Sequence, residues 1–314
     1  MLFQRLNPSE ALNLVSYADI DHFRESERYL RASSMPLAAG DFSIQRAELA
    51  LPSCTLSLVR TFPRIVNGYE LAGRLVFVIP MNDVSTARIN GEQIGQAVLV
   101  LKGNEQRTVF EPEGRLVAIL SIEQERQGRP SLHFDRGYQL INLSRYELLG
   151  LRAQITGALE LAAKDPEASR LPAIRVSAED TLLAAIERAT RLGELVNGDR
   201  YGSLGRYKRI IDQIDNLIQH QPTTNWSCEQ LSDELGTSTR TIQTATQTLC
   251  GSGTLHYWRL RRLWMVRRQL RSGVPGLTVR ASALAHGFHH MGEFSKLYCS
   301  TFGELPSYTL AAAR

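Results

Sequence analysis

The chain reads as an α+β protein of several domains: an N-terminal antiparallel β domain, a helical hairpin, and a C-terminal all-α domain with two helix-turn-helix units. Three observations predict this. Short β-rich runs separated by turn signals fill residues 40–142, and an apolar period of three to four residues takes over from Ser144. Residues 206–314 then contain, twice, an apolar helix, a glycine turn and a second helix with polar residues outward. That repeated pattern is how a protein places a helix in a DNA major groove.

The β domain is assigned to residues 1–143. Runs rich in Val, Ile, Leu and Thr occupy residues 42–51, 54–61, 74–79, 96–101, 106–110 and 115–122. Asn67-Gly68, Pro80 to Asp83, Asn90-Gly91, Lys102 to Asn104 and Glu113-Gly114 separate them. Short strands at this spacing predict an antiparallel sandwich or small barrel, with hairpins at Asn90-Gly91 and Gly103-Asn104.

Residues 144–196 are assigned to a helical hairpin. Leu148, Leu151, Ile155, Leu159 and Ala162 form one stripe, and Lys164-Asp165-Pro166 breaks the helix. Leu182, Leu183, Ile186, Ala189 and Leu192 form a second stripe, with Ser177 to Asp180 resembling its cap. The stripes either pair with a second copy or pack on the β domain; we read them as a dimerisation element. The glycines from Gly193 to Gly205 suggest a linker, assigned to residues 197–205.

The C-terminal domain is assigned to residues 206–314, with a first helix over residues 207–219. The first unit covers residues 227–249: Ser227 caps its first helix with Gln230 as the matching box residue, Gly236 makes the turn, and Thr237 or Ser238 caps the recognition helix. Ile242, Ala245 and Leu249 face inward, while Thr239, Arg240, Gln243, Thr244 and Gln247 face out. Arg bonds guanine O6/N7 and Gln bonds adenine N6/N7, so Arg240 and Gln243 are the first candidates for base reading, with phosphate contact the alternative for Arg240. The second unit covers residues 278–302. Thr278 caps it, Val279, Ala281, Leu284 and Ala285 form its inner side, Gly287-Phe288 makes the turn, and Met291, Ser295 and Lys296 can reach the groove. Residues 255–271 between the units form a helix with Arg259, Arg261, Arg262, Arg267, Arg268 and Arg271, of which about two are expected on DNA phosphate.

Charge follows the same division. Residues 206–314 carry 13 Lys/Arg and 7 Asp/Glu, against 23 and 25 in the preceding 205 residues, so the excess positive charge lies with the helix-turn-helix units. No apolar run approaches the roughly 20 residues of a membrane span, and the start of the chain lacks the features of a signal peptide. Four scattered cysteines without a C-x-x-C pair suit reduced thiols in a cytoplasm.

Enzyme and metal readings fail. Residues 40–122 contain no histidine, which removes the His-x-His cluster of a metal-binding β barrel, and His133 stands alone. No G-x-S-x-G, P-loop or G-x-G-x-x-G is present. His286, His289 and His290 lie near Cys299, but across a turn where the DNA helix must be exposed. Arg24 to Arg28 spells an R-x-x-x-R, read as a solvated helix face. No catalytic residue, cofactor or metal is expected.

Residues 206–310 resemble the DNA-binding domain of the AraC/XylS family of transcriptional regulators. The resemblance rests on residues 235–243, Gly251, residues 257–263 with Arg267, Ala285 to Phe288, Phe294, and Phe302-Gly303 followed by Pro306-Ser307-Tyr308. It implies both units in successive major grooves of double-stranded DNA, contact with RNA polymerase, and an N-terminal cupin-like domain that binds a small-molecule effector and dimerises. The chain departs from the family at Thr246, where an aromatic residue is usual, at His289 to Gly292, and after Tyr308. From these the first unit is expected to pack less tightly and the second to read DNA less specifically. Two alternatives stand beside a DNA-binding activator: a small-molecule-binding or catalytic β domain with DNA binding secondary, and a regulator controlled by a protein partner.

Overall fold

The computed structural model describes residues 2–17, 20–26, 30–37, 44–70, 73–123, 132, 134, 137–197 and 203–314. After a short 3-10 turn, Leu2–Arg5, the strands run β1 (Leu12–Tyr17), β2 (Leu30–Pro36), β3 (Ile44–Ala50), β4 (Cys54–Arg60), β5 (Arg64–Glu70) and β6 (Arg74–Pro80). They continue as β7 (Arg88–Ile89), β8 (Glu92–Gln93), β9 (Val98–Lys102), β10 (Arg107–Glu111), β11 (Leu116–Glu123) and β12 (Gly137–Asn142). Helix α1 (Ile20–Glu25) follows β1, and α2 (Arg145–Lys164), α3 (Pro166–Arg170) and α4 (Pro172–Leu192) precede β13 (Glu194–Asn197). The C-terminal helices are α5 (Ser203–His220), α6 (Cys228–Glu234), α7 (Thr239–Cys250), α8 (Thr254–Leu270), α9 (Val279–Ala285), α10 (Met291–Phe302) and α11 (Pro306–Ala312).

Two antiparallel sheets form the β domain, ordered β1-β3-β4-β11-β6-β9-β12-β13 and β2-β5-β10-β7-β8. Alternation along the central strands explains the layering. Leu75, Phe77 and Ile79 of β6, with Leu120 and Ile122 of β11, point into one core with α2 and α4. Val76 of β6, with Leu99 and Leu101 of β9, points the other way, toward the five-stranded sheet. The larger sheet is thus buried on both faces.

Asn90-Gly91 forms the β7–β8 hairpin, with φ of 49° and 88° at its two turn residues, the left-handed pair a tight hairpin turn requires. Gly103-Asn104 does not form one. β9 pairs with β6 and β12, and β10 pairs with β5 and β7, so the chain there crosses between sheets. Residues 42–43 of the first expected strand, His133, Arg28, and residues 198–202 of the expected linker lie outside the described residues.

The helical hairpin corrects the dimer reading of its stripes. Leu148, Leu151, Ile155, Leu159 and Ala162 of α2 are buried with Leu182, Leu183, Ile186 and Ala189 of α4 against the larger sheet; only Leu192 is exposed. The sheet's second apolar face needs that cover. Ser144 caps α2 with Glu147 in a capping box. Ser177 to Asp180 does not cap α4, which starts five residues earlier at Pro172. Glu179 instead accepts hydrogen bonds from Ser53 N and Oγ, both at 2.7 Å. Residues 194–196, assigned to the helical segment, form β13 with residue 197 on the sheet edge beside β12, and residues 203–205 begin α5, so the expected linker is shortened at both ends.

Leu159 is fully buried. Leu159→Ala is expected to cost about 2–5 kcal/mol in urea denaturation while leaving the sedimentation coefficient of the folded protein unchanged. Dissociation of a dimer at native stability would restore the stripe as a subunit seam.

Candidate nucleic-acid interface

Helices α6 and α7 form the first helix-turn-helix pair. Ser227 caps α6, accepting from Gln230 N at 3.2 Å, while Gln230 Oε1 accepts from Ser227 N at 2.8 Å. Ser238 caps α7, its Oγ accepting from Thr241 N at 3.2 Å. Ile242, Ala245, Leu249 and Cys250 are buried against α5 and α8. Thr246, where looser packing was expected, is fully buried, and its hydroxyl donates to the Ile242 carbonyl or to Thr254 Oγ1, the latter at 3.0 Å. A hydroxyl pair bridging α7 and α8 takes the place of an aromatic contact.

The outward face of α7 is as the sequence predicts. Arg240, Gln243, Thr244 and Gln247 are exposed at helical positions i, i+3, i+4 and i+7, and Thr239 is half-buried at the first turn. Arg240, Gln243, Thr244 and Gln247 line a concave surface with Gly253, Leu255 and His256 from the start of α8; Thr239 lies outside it. His256 is an exposed neighbour that the sequence reading passed over.

The second pair, α9 and α10, differs from expectation in phase. Ser282, Ala283 and His286 are buried and Val279 is half-buried, while Ala281, Leu284 and Ala285 are exposed. Burial therefore follows Val279, Ser282, Ala283 and His286 at i, i+3, i+4 and i+7, a rotation the apolar residue types alone do not reveal. Ser282 is accommodated because its hydroxyl donates to Gln269 Oε1 at 2.6 Å. On α10, Lys296 is exposed, Ser295 is half-buried, and Met291 packs against the domain core. Gly292 and Glu293 are exposed in Met291's place, so the second face is smaller and carries an acid. His289 and His290 are exposed, whereas His286 turns inward, its Nδ1 2.8 Å from the Ser282 carbonyl oxygen. Burial pushes its pKa down, and the nearby Arg262 and Arg268 act in the same direction.

Helix α8 joins the two pairs, and three of its six arginines point inward. Arg261 pairs with Asp215 of α5 at 2.8 Å, and Tyr257 donates to the same carboxylate at 2.8 Å. Arg267 is buried and pairs with Glu304, with Phe302 beneath its guanidinium at 4.8 Å. Arg262 is buried in the seam between the units. Its Nε donates to the His286 carbonyl at 2.6 Å, its Nη1 donates to Asn225 Oδ1 at 2.9 Å, and its guanidinium lies 5.2 Å from the Phe288 ring centroid. Gly287 has φ of 75°, and a Cβ there would stand 1.7 Å from Arg262 Nη2. The turn of the second pair is thus closed onto the helix that joins the two pairs. Arg259, Arg268 and Arg271 remain exposed toward solvent.

A second concavity lies inside the β domain. A cavity of about 150 Å³ separates the two sheets, walled by apolar side chains including Val59, Val78, Val109 and Ile119. Arg64, Arg107 and Glu111 from β5 and β10 add charge to it. Burial lowers the Arg107 pKa to about 10. Among the described residues no group of three or more His, Cys, Asp and Glu side chains is placed to hold a metal ion.

A family profile described as a helix-turn-helix domain matches residues 231–312. The XylDLEGF operon transcriptional activator 2 of Pseudomonas putida is 34% identical over 106 residues, which are 33% of this chain and 65% of that protein. A second activator of that operon is 37% identical over 108 residues, only 30% of its own length. Among solved structures, a probable AraC family transcriptional regulator from Rhodopseudomonas palustris is 32% identical, with a TM-score of 0.31, and matches 34% of this chain and 98% of its own.

Removing the Arg262 side chain leaves the His286 carbonyl unpartnered in the seam. Arg262→Met is expected to lower stability by about 1–3 kcal/mol, read from the thermal midpoint by circular dichroism. An unchanged midpoint would remove Arg262 from any role in joining the two pairs.

Proposed function

We propose that this chain, which belongs to the AraC/XylS family of helix-turn-helix transcriptional regulators through its C-terminal third, binds double-stranded DNA through α7 and α10 together and responds to a small molecule held between the sheets of its β domain. The observation that carries the DNA reading is the row of Arg240, Gln243, Thr244 and Gln247 on one open face of a helix whose other face is buried. Arg240 and Gln243 read base edges in the major groove, and Thr244 and Gln247 extend the contact along the helix. Lys296 on α10 anchors phosphate, with Ser295 beside it. Met291, half-buried, braces the second helix against the core instead of reaching the groove. Exposed Arg259, Arg268 and Arg271 supply the positive charge that phosphate attracts.

Base and phosphate contacts leave different signatures. Arg240→Ala is expected to weaken specific binding by about 1–3 kcal/mol and to relax preference at one position. Lys296→Ala should weaken binding to all duplexes alike and flatten the salt dependence. Fluorescence anisotropy on duplexes selected from a random pool, at two salt concentrations, measures both. Native affinity in both variants would discard the proposed reading heads. Transcription with purified RNA polymerase then separates activation from repression.

For the effector, the supporting observation is the largely apolar cavity between the sheets with a few convergent polar groups, the ordinary construction of a small-molecule site. A ligand of the folded state raises the melting temperature by mass action. A thermal-shift screen of the full-length protein against metabolite pools should find such compounds, and Val109→Phe should abolish the shift. A flat response across the screen favours control by a protein partner. Turnover of a screened compound, lost on substituting cavity residues, favours a catalytic β domain.

A further inference from the structure

We propose that strand β10 relays the state of the β-domain cavity to the first recognition helix. The proposal rests on the reading of the cavity as an effector site and of α7 as a DNA reader. Along β10, Arg107, Val109 and Glu111 point into the cavity, as strand alternation requires for every second residue. Phe110, between them, points the other way and meets the end of α7. Gly251, the left-handed residue that terminates α7 with φ of 66°, has no Cβ, and an added one would stand 2.3 Å from the Phe110 ring. The ring therefore occupies the space a side chain would fill at the helix terminus.

A second contact reinforces the first. Arg88 of β7 sits directly opposite Phe110 in the strand register. Its Nη1 donates to the carbonyls of Gln247 and Thr248, each at 2.9 Å. These carbonyls lie in the last turn of α7, where the helix dipole attracts a cation; the Gln247 carbonyl also accepts the cap N–H of Gly251 at 3.1 Å, so Arg88 adds a second donor there. Arg88 and Phe110 thus grip the C-terminal end of α7 by charge and by shape. Gln247 belongs to both the grip and the proposed reading face. Since β10 is a single pleated strand, its cavity face cannot shift without moving Phe110, and packed contacts of this kind exchange between discrete arrangements. A filled cavity loosens the grip, so the filled protein behaves as the grip-less protein does.

Val78→Phe fills the cavity from β6 and leaves the residues of β10 themselves unchanged. Arg88→Ala with Phe110→Ala removes the grip. DNA affinity is measured by anisotropy on duplexes selected from a random pool, for each variant and their combination. Val78→Phe should change Kd by about fivefold or more, the grip variant should change it in the same direction, and the combination should add nothing further. Additive effects, opposite signs, or a folded Val78→Phe protein with native affinity would overturn the relay. If Val78→Phe does not fold, hydrogen exchange of residues 107–111 with and without DNA decides. By linkage, DNA should alter their exchange in the native chain and not in the grip variant; unchanged exchange in the native chain overturns the relay. A native chain that binds no selected duplex overturns the DNA reading itself, whereas binding without coupling overturns the relay alone.

Discussion

The C-terminal domain depends on one buried guanidinium. Arg262 ties the turn of the second helix pair to the segment that leads into the first, through the His286 carbonyl, Asn225 and the Phe288 ring. A buried charge is costly unless it is hydrogen-bonded, and Arg262 meets that cost through Nε and Nη1, so this side chain holds the His286 carbonyl and the Asn225 amide as firmly as it is held by them. Gly287 is required there twice over, by its positive φ and by the approach of Arg262. The spacing of the two recognition helices is consequently a property of the folded domain and not of a flexible connection.

The same accounting reassigns the basic character of α8. Six arginines on one helix suggest a phosphate-binding surface, yet Arg261, Arg262 and Arg267 are consumed by Asp215, the inter-unit seam and Glu304. Their acidic partners lie 46 and 37 residues away in the chain, so nothing in local spacing reveals the pairing. The capping residues Ser227, Gln230 and Ser238 and the α7 faces were readable because caps and helical phase are local. On α9 the buried face includes Ser282 and His286, whose burial is made possible by Gln269 and by a backbone carbonyl, and residue type there points to the wrong phase.

In the β domain, the strands with strong apolar alternation were evident and their partners were not. β9 and β10 are consecutive in sequence and lie in different sheets, a crossover that a glycine-asparagine turn does not announce. β2 and β5 are interrupted by polar residues such as Ser33, Ser34 and Asn67, and β13 hides within a glycine-rich stretch. The stripes of α2 and α4 look free only while the second apolar face of the large sheet is unknown. With both faces of that sheet buried, the five-stranded sheet becomes the layer between the cavity and the DNA-binding helices, with Met35 and Ile65 contributing to the core of the helical domain itself.

The central claim is that one rigid domain presents two helices to DNA with unequal reading faces, α7 richer in base-reading groups and α10 carrying Lys296. Footprinting of guanine N7 in the major groove along a selected duplex tests it most directly. The account predicts two protected segments about one helical turn, roughly 10 base pairs, apart on one face of the duplex, with sequence preference concentrated in the segment under α7. A single protected segment, or preference concentrated under α10, would contradict it.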